Sequence, residues 1–131
     1  MKKLKYGDKT AKQLDNYMKN YKIPKGKTRT GLVAPIKDLK RNHDEMKQMK
    51  LKTSDPFFHC KANYEAASRG KYGSFVADKL GVLKEIFDIE YNKFPIKDSV
   101  KDLRANIRGR AGAKAGKSLK ATCPTHHSKY K

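Results

Sequence analysis

The stretch DSVKDLRANIRGRAG, residues 98–112, decides the fold class, because its side chains fall into three groups when it is placed on a helix. At about 100° per residue, one face is apolar, a second is basic, and a narrow stripe between them is polar. An ordinary surface helix needs only two faces, so the third indicates polar partners inside the protein. The polar stripe consists of Asp102, Asn106 and Arg110. The apolar face consists of Val100, Leu103, Ile107 and Ala111, and the basic face consists of Lys101, Arg104 and Arg108.

The remaining sequence predicts four further helices and no strand. Apolar residues recur at spacings of three and four, which is typical of helices, over residues 8–21, 35–50, 54–70 and from 74 onward. The fifth helix begins at Ser99 and frays where glycines accumulate after residue 108. We therefore predict an all-α fold, a compact bundle of about five helices with basic, partly flexible termini.

Composition divides the chain into three predicted segments. They are a basic N-terminal helix and arm (1–34), a helical core domain (35–113) and a basic C-terminal tail (114–131). The tail holds few apolar residues, so we expect the core to fold without it. The predicted core side chains are Phe57, Phe58, Tyr64, Phe75, Val76, Leu80, Leu83, Ile86, Phe87, Val100, Leu103 and Ile107.

Positive charge is concentrated at the two ends of the chain. Residues 1–50 hold 15 basic and 5 acidic side chains. Residues 51–100 hold 8 basic and 7 acidic side chains, and residues 101–131 hold 9 basic and 1 acidic. Such segments attract polyanions, so we predict nucleic acid as a partner, bound electrostatically and without regard to sequence. The predicted contacts are Lys25, Lys27, Arg29, Lys101, Arg104, Arg108, Lys114, Lys117 and Lys120.

Four polar residues form the predicted catalytic site: His59, Glu85, Asp102 and Asn106. A histidine flanked by carboxylates suits a general base or a metal ligand. The alternative is structural, since a buried histidine and amide also serve as hydrogen-bonding groups that fix helix packing. We expect the four to converge, with His59 within about 10 Å of Asp102 or Asn106, near enough for shared hydrogen bonding. Enzymatic activity and metal dependence stay open, no cofactor is expected, and no residue is assigned to a metal.

Cys60 and Cys123 are too few and too far apart to indicate a disulfide framework, so reduced thiols are expected. The N-terminus lacks the apolar run of a secretory signal. No stretch of 18 apolar residues predicts a membrane span.

Residues 55–113 resemble a small helical domain of polymorphic-toxin C-termini and bacteriophage proteins. The shared pattern is a His-Cys pair, then a small-residue helix ending in an acidic residue, then Asp-x3-Asp-Leu-x-x-Asn-x-x-Gly-Arg. This chain departs from it at Lys84 and Ala105, where relatives carry His and Asn. The matching residues are His59, Cys60, Gly81, Glu85, Asp98, Asp102, Asn106, Gly109 and Arg110.

The resemblance implies a small basic virion protein with a toxin-like helical core, packaged with or bound to the phage genome. Ejection into the host and contact with other virion proteins follow from it, as does a location in the virion or host cytoplasm. Two alternatives stand beside it: a non-enzymatic, sequence-independent nucleic-acid-binding protein, and an effector hydrolase of unknown substrate.

Overall fold

A computed structural model describes residues 6–19, 21, 33–51, 55–93 and 96–130 of the chain. The described residues form an all-helical bundle, which confirms the predicted fold class. The helices are α1 (Tyr6–Met18), α2 (Val33–Met49), α3 (Asp55–Ser68), α4 (Lys71–Glu90), α5 (Ile96–Lys114) and α6 (Leu119–Thr122), followed by a 3₁₀ turn (His127–Lys129). Within the described ranges, no helix is long and apolar enough to cross a membrane.

Helix α3 is the centre of the bundle, packed against α2, α4, α5 and α6. Its residues from Phe57 to Ala67 are buried almost without interruption, including the polar side chains of Lys61, Asn63 and Glu65. A helix surrounded on all sides has no solvent face, so each polar group on it needs a partner from a neighbouring helix.

The buried ion pair of Lys61 and Glu65 meets that requirement. The Lys61 ammonium, 1% exposed, lies 3.5 Å from Glu65 and donates a 2.9 Å hydrogen bond to the Asn42 side chain. The hydroxyls of Tyr17 and Tyr21 donate to Glu45 and Glu65 respectively. These contacts join α1 and α2 to α3.

Small residues form the buried faces of α4 and α5. A Cβ added at Gly109 would lie 2.2 Å from the Cys60 carbonyl oxygen, and one at Gly73 would lie 1.9 Å from that of Ala66. Neither helix has room for a side chain at these crossings, so the backbones pack in direct contact. Ala77 and Ala105 complete these faces and are fully buried.

The predicted core is therefore correct for α3 and largely wrong for α4 and α5. Phe57, Phe58, Tyr64 and Val76 are buried as predicted, and Leu103 is half-buried. The side chain of Phe87 lies outside the described residues. The large apolar residues that point outward, because small residues occupy the buried faces, are Phe75, Leu80, Leu83, Ile86, Val100 and Ile107.

The prediction of reduced thiols is wrong, because Cys60 and Cys123 form a disulfide. Their Cα atoms lie 5.7 Å apart although 63 residues separate them in sequence. Helix α5 packs along α3 and returns the C-terminal segment to the bundle, a relationship that sequence spacing does not reveal.

The expectation that the segment after Gly116 adds little to the core is also wrong. Leu119, Cys123 and Tyr130 are buried members of the hydrophobic core. Tyr64 donates a 2.6 Å hydrogen bond to the Lys117 carbonyl oxygen, which fixes the start of the segment. The C-terminal segment is thus packed on α3 and α5. The division at residues 113 and 114 stays a prediction.

Candidate functional site

Three of the predicted site residues meet where α3, α4 and α5 pack together. His59, Glu85 and Asp102 each place a potential ligand atom within 4.8 Å of the other two. His59 Nε2 lies 3.5 Å from Asp102 Oδ2. The structure thus brings together residues that are up to 43 positions apart. Their catalytic role stays a prediction.

Asn106, the fourth predicted residue, joins the same site through a chain of amide hydrogen bonds. Asn63 Nδ2 donates to Asn106 Oδ1 at 2.9 Å and to the His59 carbonyl oxygen at 2.8 Å. The Arg110 guanidinium donates to Asn63 Oδ1 at 2.8 Å and lies 3.4 Å from Asp78. The polar stripe of α5 therefore faces α3 and α4.

Burial sets the protonation of the site. Desolvation first, and then the charge of the nearby Lys84 ammonium, lower the pKa of His59 to about 4. At neutral pH the imidazole is therefore uncharged and keeps a nitrogen lone pair. Burial also raises the pKa of Glu85, and the neighbouring charge of Asp102 acts in the same direction. The site thus combines a neutral nitrogen donor with two carboxyl groups.

One atom of the site has no hydrogen-bonding partner. Glu85 Oε2 is buried and accepts no hydrogen bond from the described residues, while the other oxygen of the carboxylate lies 3.4 Å from Lys84. The Glu85 side chain is only 3% exposed. Buried carboxylate oxygens are normally paired, so the site holds an unused acceptor.

A cavity of about 400 Å³ lies between α2 and α4 beside this cluster. His59, Asn63 and Asn106 reach its wall. The remainder of the lining is mainly apolar and includes Ile36, Leu39, Met46, Phe58, Ala77 and Leu80. The polar cluster therefore borders an apolar groove.

A second candidate surface, which the sequence analysis did not predict, is the outward face of α4. Phe75, Val82, Leu83 and Ile86 are 58%, 40%, 61% and 51% exposed. At about 100° per residue these four lie within about 100° of one another around the helix. The sequence does carry a signal for this orientation: small residues at positions 73, 77 and 81 mark the opposite face as the one that packs closely. We call these four residues the α4 apolar stripe.

The predicted nucleic-acid contacts lie only partly within the described residues. Lys25, Lys27 and Arg29 lie outside the described ranges. Arg108 has a structural role, since its guanidinium donates a 2.7 Å hydrogen bond to the Thr122 carbonyl oxygen and lies over the Tyr130 ring. Arg108 is nonetheless exposed, as are Lys101, Arg104, Lys114, Lys117 and Lys120.

Comparison with known proteins identifies a family over most of the chain. Residues 27–126 match the family model for serum amyloid A protein. The chain is 37% identical to serum amyloid A-1 protein of Mus musculus over 75 residues, which cover 57% of this chain and 61% of that protein. It is 35% identical to serum amyloid A protein of Notamacropus eugenii over 75 residues, which cover 57% of this chain and 59% of that protein. For serum amyloid A-3 protein of Oryctolagus cuniculus the identity is 36% over 76 residues, covering 58% and 62%. The matched region therefore spans about three fifths of these relatives.

This match overturns the resemblance to toxin and bacteriophage domains. The whole motif on which the resemblance was based, from His59 to Arg110, lies inside the matched region. The predicted virion function, with packaging beside the genome and ejection, is wrong, and so are its two alternatives. A short pattern of His, Asp, Asn and Gly is compatible with several helical families, because such residues recur wherever helices pack closely around polar groups.

The predicted partners and location are wrong as well. The match to the serum amyloid A family contradicts nucleic acid and virion proteins as partners. It also contradicts the predicted location in a virion or the host cytoplasm. Positive charge alone does not specify which anionic surface it attracts. The Cys60–Cys123 disulfide agrees with an oxidising compartment.

Proposed function

Because this chain belongs to the serum amyloid A family, we propose that it binds the phospholipid surface of lipoprotein particles through the α4 apolar stripe. Serum amyloid A proteins associate with high-density lipoprotein, which makes a lipid monolayer the expected partner. The observation that carries the proposal is the outward orientation of Phe75, Val82, Leu83 and Ile86.

The α4 apolar stripe suits a lipid interface in both shape and chemistry. Helices that lie in an interface expose one apolar face and bury it among the acyl chains near the headgroups. Soluble proteins rarely expose such groups of large apolar side chains without a partner. Since the small-residue face of α4 packs on α3, the stripe can enter lipid while the bundle stays closed.

Charge around the stripe supports the same orientation. The Lys79 ammonium lies 5.6 Å from the centre of the Phe75 ring on the exposed side of α4. A lysine in this position extends its charge toward headgroup phosphates while its methylenes cover apolar surface. The formal net charge of +19 attracts the whole chain to anionic lipid. We therefore assign the excess of cations to lipid attraction.

Flotation with vesicles of phosphatidylcholine and phosphatidylserine tests the proposal. The double variant Leu83→Gln/Ile86→Gln removes apolar surface and changes no charge. We expect it to bind at least about tenfold more weakly, because each large side chain contributes about 1.5–3 kcal/mol when fully buried in an apolar medium.

The matched control is Ile96→Gln/Ile107→Gln, which makes the same change at exposed positions of α5. We expect the control to bind vesicles nearly as the parent chain does. An equal loss in both doubles would contradict the assignment to α4. Unchanged binding in the α4 double variant would contradict the proposal altogether.

A further inference from the structure

We propose that His59, Glu85 and Asp102 form a binding site for a divalent transition-metal ion of the zinc class. The inference is independent of lipid binding, since the cluster lies between helices α3, α4 and α5 and shares no residue with the α4 apolar stripe. Each ligand comes from a different helix, so the ion would join α3, α4 and α5.

The distances fit a tetrahedral ion. Two ligands at about 2.1 Å from Zn²⁺ and at a tetrahedral angle lie about 3.4 Å apart. His59 Nε2 and Asp102 Oδ2 lie 3.5 Å apart. The ligand atom of Glu85 is within 4.8 Å of both, so its carboxylate needs to move by about 1 Å to complete three coordination bonds.

The buried acceptor of Glu85 is an independent observation that indicates a ligand. Glu85 Oε2 is buried and has no hydrogen-bonding partner in the described part of the chain. A buried carboxylate oxygen in that state is costly unless a cation or donor compensates it. A metal ion between His59 and Asp102 would be that partner.

The donor set selects the ion. One imidazole and two carboxylates are ligands that Zn²⁺ takes in open sites, where three protein groups leave a fourth position for water. His59 and Asn106 line the same cavity, and a polar neighbour of this kind orients a ligating imidazole. Asn106 is in turn held by Asn63 at 2.9 Å, so the ligand geometry is supported from behind.

Lys84 is the group that opposes the ion. Its ammonium lies 3.4 Å from Glu85 Oε1, and its side chain is 39% exposed. It can therefore move toward solvent when a metal binds, at a cost in affinity from the remaining repulsion. Removing the Lys84 charge should therefore have the opposite effect to removing a ligand, and the Lys84→Met variant should bind metal more tightly.

The test uses Co²⁺ as a spectroscopic substitute for Zn²⁺, with the full chain freed of metal by a chelator. His126→Ala/His127→Ala is the background, because these two surface histidines lie close together and are the competing ligands. We expect a visible absorption band of four- or five-coordinate Co²⁺, displaced by Zn²⁺. Glu85→Gln and Asp102→Asn should each weaken binding at least 100-fold, and Lys84→Met should strengthen it at least threefold. Asp44→Asn, which changes an exposed carboxylate paired with Lys40 on α2, should leave binding unchanged.

Thermal unfolding with Zn²⁺ provides a second readout. Zn²⁺ should raise the melting temperature of the background chain and leave that of Glu85→Gln unchanged, while circular dichroism shows that both variants are folded. Binding that is absent, that survives both ligand substitutions, or that disappears only with His126 and His127 would overturn the proposal.

Discussion

Asn63 Nδ2 on α3 donates a 2.9 Å hydrogen bond to Asn106 Oδ1 on α5, 43 residues away in the sequence. Asn63 is 2% exposed and so is Asn106. Asn63 has two further partners, since it donates to the His59 carbonyl oxygen and accepts from Arg110. The pair therefore fixes how α5 is rotated against α3 and which of its faces meets His59.

Removing this contact should destabilise the fold. Replacing Asn106 with alanine leaves a cavity and deprives the Asn63 amide of one acceptor, so we expect a loss of about 1–3 kcal/mol in the free energy of unfolding. Chemical denaturation measures it. Ile107→Ala, at the exposed neighbouring position, should change stability by about 0.5 kcal/mol or less, and equal effects of the two would contradict the role given to the pair.

Gly109 should tolerate no side chain. A Cβ there would meet the Cys60 carbonyl oxygen at 2.2 Å and the Tyr64 backbone nitrogen at 3.0 Å. Because backbone atoms cannot rotate aside, Gly109→Ala should cost about 1–3 kcal/mol or more as α5 is pushed away from α3. Thermal melts compare it with Ala111→Gly, an exposed site where only helix propensity changes, by about 1 kcal/mol. A stabilised Gly109→Ala chain would show that the helices are not in contact there.

The disulfide should account for a large part of the stability. In the chain-entropy model, a cross-link spanning 63 residues stabilises by about 4 kcal/mol. Reduction should therefore lower the denaturation midpoint substantially, and Cys60→Ser/Cys123→Ser should reproduce that loss. The double variant is also the control, because reductant should have no effect on it. A midpoint that reductant leaves unchanged in the parent chain would refute the bond.

Truncation after Lys117 should destabilise the bundle beyond the loss of the disulfide. It removes Leu119 and Tyr130, both 5% exposed, and large buried side chains cost about 2–5 kcal/mol each when deleted. The comparison is therefore with Cys60→Ser/Cys123→Ser, which lacks the bond and keeps the segment. We expect the truncated chain to be less stable than that variant by at least about 3 kcal/mol. Equal stability would show that the segment acts only through its cysteine.

Alkaline pH should weaken the attachment of α1. Burial first, and then the hydrogen bond to Glu45, raise the pKa of Tyr17, while burial and the charge of Glu65 raise the pKa of Tyr21. The folded state thus favours protonated phenols, so their contribution is complete below the unfolded pKa of about 10 and is lost as pH rises above it. Unfolding curves between pH 8 and 11 should show less of this loss in Tyr17→Phe/Tyr21→Phe. Tyr64 and Tyr130, whose pKa values burial also raises, account for the slope that remains.

The periodicity of apolar residues predicted the helices well, because helix formation depends on the local spacing of those residues. The predicted start of α5, Ser99, lies three residues inside the helix that begins at Ile96, and α2 begins at Val33 where Pro35 was predicted. The convergence of His59, Glu85 and Asp102 also followed from the sequence, because a polar stripe on a helix with an apolar face needs partners. Terminal positions are less well specified, since capping residues compete over one or two positions.

The prediction of which residues are buried failed where small residues, rather than large apolar ones, occupy the helix interfaces. Phe75 and Ile107 were assigned to the core for their hydrophobicity, yet Gly109 and Ala105 occupy the interface, because backbone contact excludes larger groups. The disulfide between Cys60 and Cys123 could not be predicted from the sequence for another reason. Pairing depends on where the chain returns in space, and that is set by packing between helices distant in sequence.

The bond between Cys60 and Cys123 also makes residues 60–123 a covalent ring that contains all of α4 and α5. A linear helical protein that spreads on a particle can unroll to the full contour of its helices. This ring cannot, because its two ends stay joined whatever the helices between them do. Its largest footprint is therefore that of two helices folded back on each other, about half the span of the same residues laid end to end. Reduction of a single bond would release the other half.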